Sequence, residues 1–201
     1  MQQDRNKDYF LWESFKRGDD KAFFYLYNQY VDVLLGFGLH LSKDVDLIKD
    51  CIHDLFLDLY KYRKQLTGTD NIKYYLFRSL KRKIHKELSK KSIFSPEGQN
   101  IYAFSEWEPA CDDRIIKTEI NEENSELLKA AMKKLTGQQR EALFLKFEQN
   151  LGYPEIAQMQ NISVESARTN IYRAIKAIRK SIQEGKMSVQ TLILFLRNTQ
   201  S

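Results

Sequence analysis

The sequence predicts an all-α protein made of two small helical domains joined by an irregular linker, with a helix-turn-helix in the second domain. Three observations carry this. Apolar residues recur at steps of three and four through most of the chain, and no strand-length run alternates with period two. Gly and Pro together number 11 among 201 residues, so few positions interrupt a helix. Periodicity lapses over one long stretch, Ser89 to Glu119, where Pro96, Gly98 and Pro109 lie among Ser, Asn and Asp. The resulting division is 1–90 for the first domain, 91–120 for the linker, 121–185 for the second domain and 186–201 for an apolar extension.

The elements follow in order. Tyr9 to Lys16 reads as a short helix closed by the Arg17-Gly18-Asp19 turn. From Asp20 to Leu41, Ala22, Phe23, Leu26, Tyr27, Tyr30, Val31, Leu34 and Leu35 form one apolar stripe. Val45, Ile48, Ile52, Leu55 and Leu59 form a second, over Asp44 to Tyr62, with Asp44 as its cap. A third runs Ile72, Leu76, Leu80, Ile84, Leu88, opened by Asp70 or Asn71. Phe94, Ile101, Tyr102, Phe104 and Trp107 punctuate the linker and suit docking on a surface. Helical periodicity then returns in segments 123–134, 138–149, 153–159 and 163–183, and Ser188 to Arg197 reads as an appended apolar helix.

Composition excludes several classes. Cys51 and Cys111 are far apart and form no C-x-x-C pair, so neither a disulfide framework nor a zinc site is supported, and a reducing cytoplasmic compartment is expected. No apolar run is long enough for a signal peptide or a membrane span. His40, His53 and His85 are scattered, no Gly-rich phosphate loop occurs and no nucleophile stands beside a base, so an enzyme, a cofactor, a metal site and a small-molecule substrate are not expected. The net charge of +5 permits a polyanionic partner, and its distribution decides.

Between Lys73 and Lys91, eight basic residues (Lys73, Arg78, Lys81, Arg82, Lys83, Lys86, Lys90 and Lys91) face one acid, Glu87. Tyr74, Tyr75 and Phe77 lie on the same helix, and Tyr74, Arg78, Lys81 and His85 share a face opposite the apolar stripe. Cations displace counterions from phosphate and aromatic rings stack on unpaired bases, a combination suited to nucleic acid. From Asp44 to Asp58 the preceding helix carries Asp44, Asp46, Asp50, Asp54 and Asp58 against Lys49 alone, and places His53, Asp54 and Leu57 off the buried stripe. An outward Leu among carboxylates suits a protein partner.

Residues 153–174 have the form of a helix-turn-helix. Pro154 fits the first turn of a short helix, Ile156 and Ala157 its buried face, Asn161 a left-handed turn and Ser163 the cap of the next helix. On that helix Val164, Ala167, Ile171, Ala174, Ile175 and Ile178 pack inward, leaving Glu165, Ser166, Arg168, Thr169, Asn170, Tyr172, Arg173 and Lys176 outward. Glu165, Ser166, Arg168, Thr169 and Asn170 are placed for base edges or their flanking phosphates, and Arg173, Lys176, Arg179 and Lys180 for the backbone.

These residues resemble bacterial RNA polymerase sigma factors of the extracytoplasmic function (ECF) type over nearly the whole chain. Gly18 to Tyr27 resembles the family's G-D-x-x-A-F-x-x-L-Y, and Asp50 to Tyr60 its D-x-x-Q-x-x-F helix, with His53 where Gln is usual. Leu135 to Leu143 resembles L-P-x-x-x-R-E-v-f, with Thr136-Gly137 departing from it, and Gly152 to Ala157 resembles the end of G-[LY]-S-Y-x-E-I-A.

The resemblance implies that Asp50, His53, Asp54, Leu57 and Asp58 bind core RNA polymerase. It implies that Arg63, Asn71, Lys73, Tyr74, Phe77, Arg78, Lys81, Arg82 and His85 meet and melt the −10 element, the 63–71 loop approaching a flipped base. Ser163, Glu165, Ser166, Arg168, Thr169, Asn170, Arg173 and Lys176 would read the −35 element as duplex. Promoter DNA is thus expected in duplex and single-stranded form, and an anti-sigma factor, often membrane-bound, is implied as the partner that clamps the two domains. The alternative is a stand-alone helix-turn-helix regulator with a helical sensor or dimerisation domain, which gives no reason for the basic helix and its acidic neighbour.

Overall fold

In the computed structural model the chain divides into two compact units, Met1–Ala103 and Phe104–Ser201, within which residues 2–93 and 130–184 are described. All regular structure among them is helical. Residues 91–93, expected as the start of the linker, are helical, while the rest of the linker, residues 123–129 of the first predicted helix after it, and the apolar extension lie outside the described residues.

The first unit contains α1 (Gln2–Lys16), α2 (Asp20–Leu41), α3 (Val45–Tyr62), a 3-10 turn (Arg63–Gln65) and α4 (Ile72–Ile93). Local chemistry sets its boundaries. Gly18, at φ 96, takes the left-handed conformation that ends α1, while the Asp19 and Gly18 amides donate back to the Ser14 and Phe15 carbonyls. Asp19 then caps α2, its carboxylate accepting from the Lys21 and Ala22 amides at 2.9 and 3.4 Å. Asp44 caps α3 by accepting from Leu47 N at 3.0 Å, as expected. Each such cap stabilises its helix by about 1 kcal/mol.

The core gathers Trp12, Phe15, Leu26, Leu34, Phe37, Ile48, Leu76, Phe77, Leu80 and Ile84, all essentially inaccessible to solvent. Helices α2 and α3 approach so closely that a Cβ on Gly38 would collide with Ile48. On α4 the buried surface is broader than a single Ile72-Leu76-Leu80-Ile84 line, because α4 packs on both α2 and α3. Phe77 joins it, stacked on Phe37 with centroids 4.6 Å apart and planes 8° from parallel, and Leu88 is only half-buried.

In the second unit residues 130–133 are helical, followed by α5 (Gly137–Leu143), a π-helical turn (Phe144–Glu148), α6 (Tyr153–Gln160) and α7 (Val164–Glu184). The segment expected as one helix over 138–149 therefore changes winding at Phe144. Thr136-Gly137, a departure at the level of sequence, does its work differently: Thr136 Oγ1 accepts from Gln139 N at 3.2 Å and the Gln139 side chain accepts from Thr136 N at 3.0 Å, a reciprocal capping box. Arg140 donates to the Leu135 carbonyl at 2.6 Å. The buried Gln160 donates to the Gln138 carbonyl at 2.7 Å and the Glu141 carboxylate at 3.2 Å, tying α6 to α5. Leu145, Ile156, Ala167, Ala174 and Ile178 fill the core between these helices and α7.

Candidate nucleic-acid interface

In the first unit, α3 turns Leu47, Ile48, Cys51, Ile52, Leu55, Phe56 and Leu59 inward. Helical geometry then forces Asp50, His53, Asp54, Leu57 and Asp58 outward together, and all five are exposed. Leu57 keeps 54% of its surface accessible. Asp58 accepts an ion pair from Lys83 of α4 at 2.7 Å, which joins the acidic face to the basic helix. Cys51 is buried, and burial raises its thiol pKa.

On α4, Arg78 and Arg82 are exposed, while Lys73, Tyr74, Lys81 and His85 are half-buried. Tyr74 accepts from Arg78 Nη1 at 3.3 Å, so the two form one polar-aromatic edge. Burial lowers the Lys73 pKa, and the Asp8 carboxylate opposes that shift. Phe77 must be corrected: as a wholly buried residue stacked on Phe37 it belongs to the core and presents no ring to nucleic acid.

The segment from Arg63 to Asn71 is held against its own unit. Arg63 donates to the Tyr60 carbonyl at 2.6 Å and lies 4.4 Å from the Tyr60 ring, folded over the end of α3. Asn71 accepts from Tyr74 N at 3.0 Å and so caps α4. Two α1 residues that periodicity left without a role fix the loop. Trp12 Nε1 donates to the Thr67 carbonyl at 2.8 Å, and Asp8 accepts from Ile72 N at 3.0 Å. Asp8 lies on α1 because that helix starts at Gln2, well before the expected Tyr9. Between these anchors Thr67, Gly68 and Asp70 remain exposed.

The second unit builds its outward row from a tight turn. Asn161 ends α6 in the left-handed conformation, φ 54 and ψ 48, and Ile162 N donates to the Ala157 carbonyl at 3.0 Å. Ser163 caps α7, accepting from Ser166 N at 3.1 Å and donating to Ser166 Oγ at 3.0 Å. With Ala167, Ile171, Ala174 and Ile178 buried, Glu165, Ser166, Arg168, Thr169, Arg173 and Lys176 are exposed along one side and Asn170 is half-buried. Arg179 and Lys180 continue the exposed cations. Tyr172, left without an assigned contact at the level of sequence, is 66% exposed within this row. Tyr153, at the start of α6, has two cations over its ring: Lys146 Nζ at 4.8 Å and Arg168 Cζ at 5.3 Å from the centroid.

A short helix, a left-handed turn and a second, side-chain-capped helix with a polar outer face is a geometry that can place side chains on base edges in a major groove. Among the described residues no cluster of three His, Cys, Asp or Glu is arranged to hold a metal ion, and no helix is long and apolar enough to cross a membrane.

Residues 125–178, which span α5, α6 and most of α7, match the family model described as Sigma-70, region 4. No curated protein sequence matches the chain. Among solved structures it is similar in fold to the sigma factor RpoE from Bartonella quintana, determined in complex with the anti-sigma factor NepR. The identity is 19% and the TM-score 0.50, and the similarity covers 81% of this chain and 98% of that one.

Proposed function

We propose that this chain is a sigma factor of the ECF type, a promoter-recognition subunit without catalysis of its own that directs core RNA polymerase to specific promoters. The observation that carries the reading is the region 4 helix-turn-helix, capped and turned as duplex recognition requires, with its polar row facing solvent. In this reading α7 enters the major groove of the −35 element. Glu165, Ser166, Arg168, Thr169 and Asn170 meet base edges and flanking phosphates, while Arg173 and Lys176 neutralise backbone charge. Ser163 contributes by capping the helix that carries them.

The first unit serves polymerase and the −10 element. Its outward row of Asp50, His53, Asp54, Leu57 and Asp58 offers a desolvatable Leu within a ring of carboxylates, a pattern suited to a protein partner. The α4 edge of Lys73, Tyr74, Arg78, Lys81, Arg82 and His85 supplies cations and an aromatic ring for separated strands, and the anchored 63–71 loop a backbone frame for a displaced base. Arg63 and Asn71 act as parts of that frame. An anti-sigma factor is the expected regulator, by analogy with the NepR complex of the similar structure, and the cytoplasm the expected compartment.

The test is to combine the purified chain with core bacterial RNA polymerase, follow co-migration on a sizing column, and map transcript starts on a fragmented genomic template. The reading expects a stable complex and new, discrete start sites that core alone does not produce. Failure to bind core with retained duplex binding would overturn it in favour of a stand-alone regulator.

A further inference from the structure

Building on the region 4 reading, we infer that Tyr153 is a positioning residue that holds Lys146 and Arg168 as one cationic unit against the DNA backbone, with Lys146 as a phosphate contact. The three side chains come from three separate elements: Lys146 from the π-helical turn, Tyr153 from the first residue of α6 and Arg168 from the recognition helix α7. The π-turn sets the direction of Lys146, as such turns often do where a side chain has work outside the core. It ends at Gln149, the chain reverses through Asn150 at φ 56, and Leu151 N returns to the Leu145 carbonyl at 2.9 Å. Lys146 Nζ then donates to the Leu151 carbonyl at 3.3 Å while lying over the Tyr153 ring.

Two cations gathered on one ring repel each other, and among the described residues neither takes part in an ion pair. The negative face of the ring offsets this only in part. Glu155, in the first turn of α6, holds its carboxylate against Gly152 and answers the positive end of that helix. An anion with several acceptor oxygens completes the arrangement, and on the flank of a recognition helix that anion is a DNA phosphate. Holding Arg168 on the ring before binding also removes part of the ordering cost of a long side chain, which favours tight association.

The test uses full-length chain bound to core RNA polymerase and a duplex enriched from a random-sequence pool by the wild-type complex. Affinity for that duplex is measured over a salt series. Tyr153→Phe, which keeps the ring, is expected within twofold of wild type, and Tyr153→Leu threefold to tenfold weaker. Lys146→Ala should lower the slope of log affinity against log salt by about one. Arg168→Ala should cost less affinity in the Tyr153→Leu background than in wild type.

Lys146→Ala and Arg168→Ala should likewise combine non-additively, an arm that stands even if Tyr153→Leu folds poorly. Additive losses in both cycles, or an unchanged salt slope in Lys146→Ala, would overturn the inference while leaving the region 4 reading intact. A wild-type complex that enriches no duplex would overturn both.

Discussion

Leu55 and Leu57 stand two residues apart on α3 and should respond to truncation in opposite ways. Leu55 is 3% exposed in the core of the first unit, and Leu57 is 54% exposed among carboxylates. Leu55→Ala leaves a cavity between α3 and its neighbours and should cost about 2–5 kcal/mol of stability. For a unit of this size that lowers the melting temperature by at least about 8 °C. Leu57→Ala removes no core contact and should shift stability by less than about 0.5 kcal/mol.

Its effect lies in the complex. Burying a whole Leu side chain contributes about 1.5–3 kcal/mol, and roughly half of that remains to be gained at Leu57, so truncation should remove about 1 kcal/mol. That corresponds to roughly a fivefold loss of affinity for core polymerase. The assay pairs thermal unfolding by circular dichroism with a fluorescence titration of labelled chain against core polymerase. Equal melting losses in the two variants would refute the assignment of buried and exposed faces. An unchanged core affinity in Leu57→Ala would refute the polymerase-facing role of the row.

Three further outcomes are expected. Gly38→Ala places a Cβ against Ile48 at the closest approach of α2 and α3, and overpacking there should cost about 1–3 kcal/mol, read by chemical denaturation. Thr136→Ala removes half of the capping box at the start of α5 and should destabilise the second unit by about 1 kcal/mol in the same measurement, with Thr136→Ser restoring most of it. Burial lowers the His40 pKa to about 4 from 6.5, so the unfolded chain binds this proton where the folded chain does not. Stability from this group is therefore full above pH 6.5 and falls as pH drops toward 4. His40→Gln should flatten that part of the pH–stability curve, and an unchanged curve would count against the buried neutral state.

Local features were the most legible. The Asp44 cap, the Gly18 turn, the left-handed Asn161 and the Ser163 cap each depend on a few neighbouring residues, so sequence alone located them. The outward rows of α3 and α7 were legible too, since a 3.6-residue period with one apolar stripe leaves little choice about the opposite face. Phe77 misled because a basic helix reads as solvent-facing, whereas packing on two partners widened the buried stripe by one residue. The Thr136 cap was hidden behind its departure from the resembled motif, although Thr136 followed by Gln139 is itself a helix-start signal.

The amino-acid sequence by itself determined the helical class, the two-part organisation, the charge separation between α3 and α4 and the helix-turn-helix with its outward polar row. These follow from short-range periodicity, capping and turn chemistry, all encoded within a few residues. Tertiary structure alone decided that Trp12 and Asp8 anchor the 63–71 loop, that Phe77 pairs with Phe37, that Lys83 meets Asp58 and that Lys146 and Arg168 share the Tyr153 ring. Each joins residues from different elements. Whether such side chains meet depends on how whole helices cross and how a turn re-aims a single residue, which no local pattern specifies.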